Sequence, residues 1–150
     1  MSGAARLCWP DEDRTDHRLL APAFASGGAV WADWIARLHA DDADATFDAL
    51  NDLGLGPLVV VVSTANDDFD DDDVQWATPD RLLGAAQLAH ELLITKDARF
   101  APIFALYVKA AGAGSADAAR ERMAQDLLDV AAMAQWALTH AKPYVAMDLD

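Results

Sequence analysis

Six aspartates, Asp67, Asp68, Asp70, Asp71, Asp72 and Asp73, fall within seven residues, shortly after the most hydrophobic run of the chain, "PLVVVV". Asn66, Asp68, Asp70 and Asp72 repeat the alternating oxygen donors of a calcium-binding loop. An EF-hand loop also needs glycine at its sixth position and a bidentate glutamate at its twelfth. Counted from Asn66 those positions hold Asp71 and Ala77, and counted from Asp68 they hold Asp73 and Pro79. Both counts fail, so display of negative charge to a basic partner, or solvation, is favoured over a weak divalent-cation site.

Other arrangements that carry chemistry are incomplete. His90-Glu91 opens like the zinc-protease helix motif, but the place of the second histidine is taken by Ile94. His17, His39 and His140 lie in separate segments, and Cys8 is the only cysteine, so a multi-cysteine zinc site and an internal disulfide are excluded. No G-x-S-x-G is present, and the glycines at 27–28, 54–56 and 112–114 form neither phosphate-cradling pattern. Asp126 and Asp129 share a helix face with Arg122 four residues before Asp126, which reads as a solvated face. No catalytic residue, cofactor or metal is expected. Trp76 follows the acidic run and precedes a helix start; it is either a hydrophobic staple or an exposed anchor ringed by carboxylates.

The elements around these residues can be read from periodicity. The N-terminal 28 residues look irregular apart from "ARLCW", a short edge-strand pattern. Val30, Trp31, Trp34, Ile35 and Leu38 then form one helical face. A second helix is expected from an Asp44 cap, burying Phe47, Leu50 and Leu53 and stopping at Gly54. Leu58 to Val62 is short and β-branched, the pattern of a strand covered on both faces. Thr78-Pro79-Asp80 combines a hydroxyl cap, a first-turn proline and an acid that suits the helix dipole, with Leu82, Ala86, Ala89, Leu92 and Leu93 as the buried stripe behind it. Pro102 and Gly112 bracket a further helix. The longest periodic segment, Ser115 to His140, places Met123, Leu127, Val130, Ala134, Ala137 and Ala141 on one line, and "YVAMDLD" ends the chain in strand alternation. The expected architecture is a single α+β domain over 1–150, four or five helices with a two- or three-stranded sheet; an all-α fold is the alternative.

Composition narrows the function class. With 53% hydrophobic residues, five Trp and five Phe, the chain is too apolar for intrinsic disorder. A net charge of −14, from 25 acidic and 11 basic residues, opposes binding to nucleic acid or anionic membrane and favours a basic protein or a cation. There is no secretory leader pattern and no run long enough to span a bilayer, so a cytoplasmic location is expected.

The segments "WATPDRLLGAAQLAHELL", "IFALY" and "MAQDLLDVAAMAQWALTHAKPYVAMDL", spanning Gln75 to Leu149, resemble small acidic bacterial immunity proteins of polymorphic toxin systems. The resemblance implies a protein that is not an enzyme and that binds and neutralises a cognate toxin in the producer's cytoplasm. Charge assigns the toxin-facing surface to Asp67, Asp68, Asp70, Asp71, Asp72 and Asp73 with Trp76, because an acidic inhibitor gains association rate against a basic effector. The competing readings are an acidic, composition-biased or halophilic domain, and a small metal-binding protein or enzyme with an unrecognised site.

Overall fold

The computed structural model describes residues 5–9, 22–62, 76–112 and 114–149. Five α-helices dominate them: α1 Ala29–Leu38, α2 Asp44–Asp52, α3 Pro79–Ile94, α4 Ala101–Ala111 and α5 Ala116–Thr139. The sheet is reduced to β1 Ala5–Cys8, β2 Val61–Val62 and β3 Ala146–Leu149. The architecture therefore lies nearer the all-α alternative than the α+β expectation, because its strands are only two to four residues long.

Each predicted helix forms where its apolar period is strongest. All five predicted positions of α1 and all five of α3 are buried. In α5, Met123, Leu127, Val130, Ala134 and Ala137 are fully buried, whereas Ala141 lies beyond the helix with a left-handed φ of 57°. Gly112 ends α4 in the left-handed conformation, at φ 60°. The second helix differs slightly: Asp44 is its first residue and Ala43 its cap, and only Leu50 is fully buried, Phe47 and Leu53 packing at the margin.

α3 packs along α5, and α1 packs on α4. Between α1 and α4 lies an aromatic chain: Phe24 meets Trp31 at 5.6 Å between ring centroids, Trp31 meets Trp34 edge-on at 4.8 Å, and Trp34 meets Tyr107 at 6.1 Å. Such pairs add about 0.5–1.5 kcal/mol each beyond the area they bury. Trp34 also donates its indole N–H to the Ile103 carbonyl at 3.2 Å, which keeps the buried ring's polar atom satisfied.

The sheet order is β1-β3-β2, with β1 antiparallel and β2 parallel to the central β3. The expected strand from Leu58 to Val62 is thus corrected to two residues: Gly56–Val59 is a 3-10 turn, for which Pro57 supplies a preset φ. Period two divides the sheet into two faces. Leu7, Val145 and Met147 join the main core under the helices, while Cys8 and Ala146 form a second small cluster on the other face, covered by Val60 and Trp76.

Candidate functional site

Beyond β2 the chain returns to the sheet through a single antiparallel bridge, in which the Ala77 N–H donates to the Val145 carbonyl at 2.9 Å and the Val145 N–H to the Ala77 carbonyl at 2.7 Å. Ala77 and Val145 are both buried, so the pleat turns their neighbours Trp76, Thr78 and Tyr144 toward the opposite side. There a cleft of about 580 Å³ opens, lined by Pro57, Val60, Trp76, Thr78 and Tyr144 together with Asp80 and Arg81 from the first turn of α3. Tyr144 is 48% exposed, an uncommon degree for a large aromatic ring. Asp80 sits where the helix dipole favours an anion, so its carboxylate is a stable negative charge at the rim.

Trp76 is partly buried and packs on the Cys8–Ala146 cluster beside Val60. It does not occupy the staple position of α3. The cap is Thr78, so that position belongs to Ala77. Trp76 is instead a wall of the cleft. The other residues assigned to the toxin-facing surface, Asp67, Asp68 and Asp70 to Asp73, lie outside the described residues and enter the chain three to nine positions before Trp76. The sequence marks Asp80 only as a first-turn acid of a helix and carries no motif at Tyr144, although extending the terminal alternation back from Val145 marks Tyr144 as outward-facing.

A second polar group is buried on α5. Asp126, read from the sequence as part of a solvated face, is only 1% exposed and is the one charged side chain buried among the described residues. Tyr107 of α4 donates its hydroxyl to one carboxylate oxygen, and Ser26 donates to the other at 3.2 Å. One turn on, Asp129 accepts from the Ala25 backbone N–H and from the Gln125 side chain, both at 3.0 Å. These bonds fasten the turn at Ala25–Gly28 onto α5. Burial raises the Asp126 carboxyl above its ordinary value, opposed by the Tyr107 and Ser26 hydrogen bonds and by Arg122. Burial and then the Asp126 contact push the Tyr107 phenol upward as well. A tyrosine that stays protonated and donates to a carboxylate is suited to holding a structure together; as a nucleophile or base it is disabled.

The remaining reactive residues that the structure describes stay apart; His17 lies outside the described residues. Cys8 is buried in the small outer cluster. The His39 ring lies 3.2 Å from the Val59 carbonyl and against Phe47, and His140 lies 2.8 Å from the Trp136 carbonyl and stacks on the Trp136 ring. Among the described residues no three His, Cys, Asp or Glu side chains converge as a metal would require, and no helix is long and apolar enough to cross a membrane. Comparison with protein-family models, with curated proteins and with solved structures finds no match.

Proposed function

We propose that this protein is an immunity-type inhibitor that binds a basic effector protein and neutralises it by occupying its working surface. The observation that carries the reading is the cleft at the outer face of the sheet, where the two aromatic rings Trp76 and Tyr144 stand beside Asp80, at the chain exit of the six-aspartate run. Aromatic anchors beside a carboxylate, close in sequence to an acidic run, fit the anatomy of a hot spot for Arg- and Lys-rich partners: the rings supply contact area, and the charges supply steering and register. A net charge of −14 extends that field beyond the contact itself.

The test is co-expression with the product of the adjacent gene, followed by affinity measurement at low and high salt. Replacing the six aspartates by lysine is expected to slow association and flatten its salt dependence, and Trp76→Ala or Tyr144→Ala to accelerate dissociation. Affinity unchanged by all three changes at both salt concentrations refutes the assignment.

A further inference from the structure

At the end of the molecule where α3 stops and α5 begins, two cavities share Lys96 and Arg120. The deeper one, about 160 Å³, is walled by Leu92, Leu93, Phe100 and Phe104; the shallower one, about 390 Å³, continues past Ile94 and Ala124. An apolar cavity of about 150 Å³ takes a benzene ring. The Arg120 guanidinium carbon stands 4.8 Å above the Phe104 ring, and its Nε is buried without a hydrogen-bond acceptor among the described residues. Its recorded ion pair, Nη1 to Asp117 at 3.3 Å, is with a carboxylate 91% exposed to solvent, and so is weak.

Three acids line the two cavities, Asp97 the deeper one and Asp117 and Glu121 the shallower one. Asp97 receives Arg99 through Nε at 3.0 Å and Nη2 at 2.9 Å, which holds its carboxyl down at about 2. Lys96, by contrast, makes no ion pair among the described residues and stands in a conformation that costs energy. The end of α3 is a Schellman turn, with the Lys96 N–H on the Leu93 carbonyl at 3.2 Å and the Asp97 N–H on the Leu92 carbonyl at 3.0 Å. Glycine is favoured at that left-handed position, yet it holds a lysine at φ 57°. The backbone gains nothing from the side chain, whereas the cavity mouth gains an ammonium.

We infer that this pocket binds a compact organic anion, a carboxylate carrying one aromatic ring or branched alkyl group. The ring fills the space between Leu92, Leu93, Phe100 and Phe104. The carboxylate pairs with the Arg120 guanidinium, whose ion pair with exposed Asp117 is weak, and Lys96 Nζ is the second cation. Net charge opposes the anion at long range, so recognition depends on these two contacts at close range. The inference is independent of the effector-binding cleft, which lies at the opposite end of α3.

The experiment is calorimetric titration of the full chain, in about 0.15 M salt to screen the net charge, with sodium phenylacetate and, as a neutral control of the same size, 2-phenylethanol. Saturable one-to-one binding of phenylacetate is expected, with 2-phenylethanol about tenfold weaker, the ratio that one charge-assisted contact produces. Arg120→Gln is expected to remove most of that preference. Lys96→Gly is the decisive variant, because relief of the left-handed strain raises its thermal midpoint while loss of the ammonium weakens phenylacetate several-fold. Absence of saturable binding, equal affinity for the acid and the alcohol, or a stabilised Lys96→Gly that binds phenylacetate as tightly as the parent each overturns the inference.

Discussion

Replacing Tyr107 by phenylalanine removes one oxygen from a fully buried site and leaves the Asp126 carboxylate with Ser26 as its remaining recorded hydroxyl donor. Hydrogen bonds to a charged group contribute about 1.5–3 kcal/mol, against about 0.5–1.5 kcal/mol for neutral pairs. Tyr107→Phe is therefore expected to cost about 2 kcal/mol at a pH above the raised Asp126 value, where the carboxyl is charged, and about 1 kcal/mol in an Asp126→Asn background. The asparagine is well suited to the comparison: its carbonyl can accept from Tyr107 while Ser26 Oγ turns to accept from the amide. Urea unfolding followed by tryptophan fluorescence reads the difference, since a slope of about 2 kcal/mol per molar makes the larger cost a midpoint shift of about 1 M. The pH dependence carries the sign. Because burial raises the folded Asp126 above its ordinary 3.8, the stabilising effect of its bound proton is fully present below 3.8 and is lost as pH rises through the raised folded value. Asp126→Asn should thus gain on the parent as pH rises across that window and keep a constant offset below it. Equal costs of Tyr107→Phe in the two backgrounds, or a gap between Asp126→Asn and the parent that does not change with pH, would refute the account of a buried, charged acceptor.

Two further substitutions probe the backbone. Gly28 has φ +83°, and a β-carbon there would meet Phe24 Cδ2 at 2.8 Å and the Ala5 backbone N and O at 2.9 and 3.0 Å. Gly28→Ala is expected to cost about 2–4 kcal/mol, from left-handed strain plus displacement of β1, measured by thermal or urea unfolding. Ala141 holds the left-handed position of the turn that ends α5, so Ala141→Gly is expected to stabilise by about 1 kcal/mol in the same assay.

The helices were legible because their evidence is local: the first-turn Pro79 and the three-and-four spacing from Met123 to Ala137 require no knowledge of partners, although Thr78 takes the N-cap position without the capping hydrogen bond expected of its hydroxyl. What escaped was set by distant partners. Asp126 looked like half of an exposed acidic pair, since nothing near it in the chain announces that Ser26, a hundred residues earlier, and Tyr107 close over it. The strand at Leu58 to Val62 was overextended because β-branched composition reports burial as well as strand geometry, and Pro57 turns its first half into a 3-10 turn. The cleft was half legible. Trp76 drew attention by its place after the aspartates, but Tyr144 joins it only through the Ala77–Val145 bridge, a pairing that spans most of the second half of the chain.

That same arrangement dictates an order of events during synthesis. β3 is the central strand, and its residues Ala146 to Leu149 leave the ribosome after every other described element. The helical pairs are built from contacts that close quickly, whereas β1 must wait for a partner nearly a full chain length away. Until then Leu7, bound for the core, lacks its strand partner Met147. The helices thus form a scaffold to which the sheet is added last, and the outer-face cleft becomes complete only when β3 has joined it.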